Sequence, residues 1–195
     1  MRPLIVQAME AECEPVREAL GIDGPGQQLH PRFPARLWTH DQFAVAVNGV
    51  DPRFGVDSIG GQPAVTTTLH AIESTQPDLV ISAGTAGGFI ARGARIGSVY
   101  LADRCVFHDR RIAIEGFDRY GVGDYPVANL PRSVDRLGFD RGAVSTGNAL
   151  DAPDVDLANM AAAAVVAKDM EAASVAWVCE RMTVPFAALK VVTDL

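Results

Sequence analysis

Short apolar runs with β character alternate with helical stretches along this chain, and that alternation constrains the fold more than any other feature. Leu4–Ala8, Asp78–Ser82, Ala143–Thr146, Ala163–Ala167 and Phe186–Val192 read as strands. Ala11–Leu20, Pro63–Ser74, Asp154–Met160 and Met170–Met182 carry helical spacing between them. Arg36–His40 and Phe43–Asn48 read as a hairpin, and Ser98–Ala102 and Cys105–Phe107 as two further strands. Gly21–Pro34, rich in glycine and proline, reads as a loop, and Asn48–Gly61 as irregular chain. Residues 108–140 show little periodicity. Strands alternating with helices predict an α/β fold: three αβα layers around a central mixed, mostly parallel twisted sheet. No repeat, low-complexity tract or linker divides the chain, so one domain spanning 1–195 is expected.

Charge and composition narrow the functional classes. The 195 residues carry a formal net charge of −7, and Arg110-Arg111 is the only basic cluster, so no nucleic-acid groove is expected. No apolar run reaches the roughly 18–20 residues of a membrane span, and no signal peptide opens the chain. The three cysteines lack a CxxC spacing, which fits reduced thiols in a cytoplasmic protein. No metal-ligand spacing such as H-x-x-x-H occurs, so neither metal nor cofactor is expected.

In an open α/β sheet, ligands bind outside the carboxyl ends of the strands. Three carboxylates fall there. Asp194 ends the last strand, Glu12 follows the first, and Glu171 follows Ala163–Ala167. Convergence of the three on one edge would suit acid/base work on a small molecule. Helix capping is the competing role for Glu12 and Glu171, because acids in a first turn favour the helix dipole. The loop Gly84-Thr85-Ala86-Gly87-Gly88 matches neither a dinucleotide nor a P-loop pattern and reads, alone, as a tight turn. His108-Asp109-Arg110-Arg111 has no nucleophile motif beside it, so a structural or interface role is expected.

Several segments in order carry a resemblance. They are Ala8-Met9-Glu10-Ala11-Glu12, the run from Pro77 to Phe89, Phe107 to Arg111, Ser145 to Asp151, Lys168 to Ala173, and Val192-Thr193-Asp194. Together they resemble the 5′-methylthioadenosine/S-adenosylhomocysteine nucleosidases, within the nucleoside phosphorylase fold. Gly55 to Gly60, His108 to Arg111, Tyr120 to Gly123 and Lys168 to Glu171 look closest to the plant-type branch.

The resemblance implies hydrolysis of an N-glycosidic bond in methionine salvage. Asp194 would protonate adenine N7, and Glu12 would activate the water that attacks the sugar. Glu171 would bind the ribose 2′-hydroxyl, with the Met170 backbone against the sugar. Met9 and Ile59 would line the ribose and sulfur side, and Thr85 and Gly87 would lie near sugar and water. Leu150 would replace an aromatic that stacks on adenine, the Asp151 backbone would read the adenine edge, and Thr193 belongs to the closing motif of the substrate pocket. The resemblance also implies a homodimer in which a partner closes the 5′ pocket, with the chain around Phe107 and Phe117 as the candidate contact. Family members continue past the acid into a long helix, so the expectation is a domain truncated at its C-terminus. Asn148 stands where relatives often carry aspartate, and Lys190 where many bacterial members carry arginine. A purine nucleoside phosphorylase, or an inactive nucleoside-binding remnant, are the alternatives.

Overall fold

The computed structural model describes all 195 residues. In chain order the elements are β1 (Pro3–Gln7), α1 (Glu10–Ala19), β2 (Gln27–His30), β3 (Phe33–Thr39), β4 (Ala44–Val47) and α2 (Gly61–Thr75). There follow β5 (Leu79–Gly88), β6 (Val99–Phe107), α3 (Phe117–Val122), β7 (Tyr125–Pro126), α4 (Arg132–Asp135) and β8 (Asp140–Thr146). The chain closes with α5 (Asp154–Ala162), β9 (Val165–Asp169), α6 (Ala172–Met182) and β10 (Phe186–Asp194).

Strand β4 explains the layering. Its four residues, Ala-Val-Ala-Val, are all buried, so both of its faces are covered. Ala44 and Ala46 join the main core with Ala64, Ala71 and Ile72 of α2 and Ala172, Ala173, Val175 and Ala176 of α6. Val45 and Val47 pack on the opposite face against Cys13 of α1 and Trp38. A strand buried on both faces loses the polar alternation of a half-exposed one. Helices therefore lie on both sides of the sheet, as the alternation predicts.

The sheet has ten strands, and its pairings close a ring: β5–β9–β8–β6–β10 and back to β5. β1, β4, β3 and β2 extend from β5 as an open wing. β5 is the hub. Its first half pairs in parallel with β1, its length with β10, and its last residues antiparallel with β9. The carboxyl ends of β1, β5, β9 and β10 therefore meet on one rim. No helix is long and apolar enough to cross a membrane.

Four expectations are corrected. Gly84–Gly88 is no turn but the second half of β5. Pairing with β10 along Gly84–Gly87, and with β9 at Gly87 and Gly88, holds these small residues extended, an effect of tertiary contacts that local propensity does not carry. Within Gly21–Pro34, Gln27–His30 forms the edge strand β2 paired to β3. Ser98–Ala102 and Cys105–Phe107 are one strand, β6, with a register shift between Ala102 and Arg104 where it pairs with β8. Polar Asp103 and Arg104 at that irregularity interrupt the apolar pattern. β9 starts at Val165 because Ala164 adopts a left-handed φ of 53°, and it runs on to Asp169. Helix α6 then starts at Ala172, whose N–H donates to Asp169 Oδ2 at 2.9 Å.

Candidate active site

A cavity of about 290 Å³ opens on the rim where β1, β5, β9 and β10 end. Glu12, Asp194 and Glu171 all line it. Each is placed by a different local device.

Glu12 sits in the first turn of α1. Its Oε1 accepts the Thr85 N–H at 2.6 Å and the Thr85 hydroxyl at 2.7 Å, and its Oε2 accepts the Met9 N–H at 3.3 Å. The last bond is a helix-capping contact, so Glu12 both caps α1 and faces the cavity. Gly84 makes the approach possible: a Cβ there would lie 2.9 Å from Glu12 Oε1 and 3.0 Å from Oε2.

Asp194 arrives through a β-bulge. The β10–β5 register pairs Val192 with Ala86 but Asp194 with Gly87, leaving Thr193 out of the ladder. Bulges beside sites re-aim side chains, and here the residue brought opposite Gly87 is the acid. A Cβ on Gly87 would lie 2.8 Å from Asp194 Oδ2. Gly84 and Gly87 are three residues apart on one strand, roughly 10 Å along it. Each carboxylate occupies the space that one glycine leaves free, and both line the same cavity.

Glu171 precedes α6 and accepts the Gly60 N–H at 2.7 Å. Burial pushes its carboxyl up to about 7; Asp169 adds to the rise, while Lys190 and the Gly60 N–H oppose it. Beneath it, Lys190 Nζ lies 2.8 Å from Asp169 Oδ2, with both side chains buried. Burial alone would lower the lysine, but Asp169 and Glu171 outweigh it and hold its pKa above the ordinary value. Asp169 Oδ1 also accepts the Thr146 hydroxyl at 2.6 Å. Apolar walls come from Met9, Ile59, Met170 and Leu150, the last of these 79% exposed at the cavity mouth.

A cleft with apolar walls and several carboxylates in its lining suits acid and base catalysis on a bound small molecule. Comparison with known proteins agrees. Residues 3–195 match the model of the phosphorylase superfamily. A 5′-methylthioadenosine nucleosidase from Arabidopsis thaliana is 38% identical over all of this chain and 76% of its own length. The chain belongs to the 5′-methylthioadenosine/S-adenosylhomocysteine nucleosidase family, in its plant-type branch. A 5′-methylthioadenosine/S-adenosylhomocysteine nucleosidase from the same plant is 34% identical over 98% of this chain and 78% of its own. The apo structure of Arabidopsis 5′-methylthioadenosine nucleosidase superposes with a TM-score of 0.95, covering all of this chain and 82% of that one.

In this nucleosidase-family chain, Met9, Ile59, Thr85, Gly87, Leu150 and Met170 line the cavity beside the three acids. Asp151 and Thr193 do not. Asp151 is exposed one position past Leu150, and the bulge turns Thr193 outward. Sequence reasoning missed Lys168 and Asp169, which also line the cavity. Lys168 is the antiparallel partner of Gly87, a pairing between distant segments that no local pattern announces.

The His108–Arg111 run is absorbed by structural contacts. His108 is buried, with Nδ1 3.1 Å from Ser145 Oγ, and burial lowers its pKa despite Asp109 and Asp156. Asp109 Oδ2 accepts the Asn148 N–H at 2.7 Å. Arg110 stacks over the rings of Phe107 and Tyr120, and Arg111 pairs with Asp156. Phe107 is buried within its own chain, whereas Phe117 is 51% exposed.

Proposed function

We propose that this chain hydrolyses the N-glycosidic bond of 5′-methylthioadenosine, releasing adenine. The observation that carries this reading is the pair of carboxylates held over Gly84 and Gly87 of one strand. The names of the relatives supply the substrate class. As the bond to N9 breaks, its electron pair moves onto the base, and Asp194 delivers a proton to adenine N7. Glu12 takes a proton from water as the water oxygen bonds to the anomeric carbon. The Thr85 N–H and hydroxyl hold the Glu12 carboxylate in place through Oε1. Glu171 accepts the ribose 2′-hydroxyl, an interaction that strengthens as positive charge grows on the sugar. Water is the nucleophile in this reading: residues 84–88 carry no lysine or arginine, the Lys190 ammonium is engaged by Asp169, and Lys168, the other cation at the cavity, donates to the Leu150 carbonyl.

The same reading includes a homodimer. Ile114, Phe117, Tyr120 and Val122 are large apolar side chains left exposed in one stretch of chain, and they support a partner subunit there.

The test is adenine release from 5′-methylthioadenosine, with and without phosphate. Phosphate-independent release is expected, falling by ~10²–10⁴ in Asp194→Asn and in Glu12→Gln. Release that requires phosphate, or survives both substitutions, would overturn the assignment. S-adenosylhomocysteine run alongside gives the second substrate's relative rate.

A further inference from the structure

Lys168 has no role in the mechanism above, yet it lines the cavity. It stands in β9 opposite Gly87, which on its other side is paired with Asp194 of β10. Lys168, Gly87 and Asp194 thus form a row across three strands, and the middle position has no side chain. The Lys168 stem lies across that gap: a Cβ on Gly87 would be 3.4 Å from both Cγ and Cε. An ammonium in such a row would be expected to pair with Asp194. Instead, Lys168 Nζ donates to the carbonyl oxygen of Leu150.

That bond matters because of what else holds the loop. Asn148 is tied down, its N–H donating to Asp109 and its Oδ1 accepting the Gly61 N–H at 3.2 Å. Beyond it, the Lys168–Leu150 bond is the only hydrogen bond that reaches residues 149–151. Leu150 itself is 79% exposed, so packing does not hold the tip either. A loop tip with one tether depends on that tether.

We propose that Lys168 is a positioning residue that clamps the 149–151 loop over the base end of the cavity. This rests on the nucleosidase reading for the identity of the bound base. The clamp acts twice. It sets how tightly the base is held, through Leu150. It also engages the ammonium on the Leu150 carbonyl, and not on Asp194 across the row. The charge-assisted bond to a carbonyl is worth enough to alter affinity about tenfold or more when lost.

The test uses Lys168→Met, which keeps the stem and removes the ammonium, and Lys168→Arg, which keeps a donor. Four quantities are measured: the rate of chymotryptic cleavage after Leu150, the Kd for adenine, and the KM and kcat for 5′-methylthioadenosine. In Lys168→Met, nicking at Leu150 is expected to speed up several-fold. The adenine Kd and the KM are expected to rise about tenfold, with kcat changing much less. Lys168→Arg restores each toward the parent. Unchanged nicking in Lys168→Met overturns the clamp, and so does a fall in kcat at constant KM, which would put the ammonium in the chemistry. Nicking needs no nucleoside, so a parent chain that binds no adenine would refute the nucleosidase reading while still deciding the clamp.

Discussion

At the residue scale, the site is made by what two glycines leave out. Gly84 and Gly87 have ordinary extended backbones, so alanine at either would bring no strain of its own; it would collide with a carboxylate oxygen. Gly84→Ala is therefore expected to fold with a stability loss of only about 1 kcal/mol, from the disturbed cap of α1, but to lose about 100-fold in turnover, because an ångström of displacement at a catalytic group costs that much. Urea titration beside a turnover assay separates the two. Glu171 gives the pH dependence. Its carboxyl is raised from 4.5 to about 7, so the folded chain retains a proton that the unfolded chain has released. Stability attributable to this residue is present at low pH and declines as pH rises through that window. The Tm of the parent should fall relative to that of Glu171→Gln across it. In the same window the KM should fall as the carboxylate becomes available to the ribose hydroxyl, a limb absent from Glu171→Gln. Glu12, Glu171 and Asp194 were legible as acids after apolar strands. Gly84 and Gly87 were not, because Gly-Thr-Ala-Gly-Gly has the local signature of a turn and becomes strand only when β10 and β9 pair with it.

At the element scale, the ends of strands and helices are tied together by one buried ion pair. Lys190 of β10 meets Asp169 at the end of β9, and Asp169 in turn accepts the first N–H of α6 and the hydroxyl of Thr146 in β8. Removing the lysine alone strands a buried carboxylate. Lys190→Met is expected to destabilise the fold by about 3–5 kcal/mol, read by urea denaturation. Adding Asp169→Asn should recover part of the loss; no recovery would mean that Lys190 acts through packing instead. Most elements could be read from period and apolar runs. The β10 bulge could not: nothing in Val192-Thr193-Asp194 says which residue leaves the ladder, since the register is set by β5.

At the scale of the whole molecule, the αβα layering was legible because strand-like apolar runs alternate with helical stretches along the chain. The closed ring was not, because it depends on β5 pairing with β9 and β10, which are far away in sequence. The proposed dimer also belongs here. Phe117→Glu should convert a concentration-dependent species of twice the chain mass into the monomer in sedimentation; an unchanged mass would move the contact elsewhere. The ring has a consequence for tuning. Glu12 and Asp194 are both indexed to β5, one at Gly84 and Thr85 and the other at Gly87, so β5 works as a ruler clamped between β1, β9 and β10. Side chains on the outer walls can then be exchanged while the strand that sets both carboxylates stays fixed.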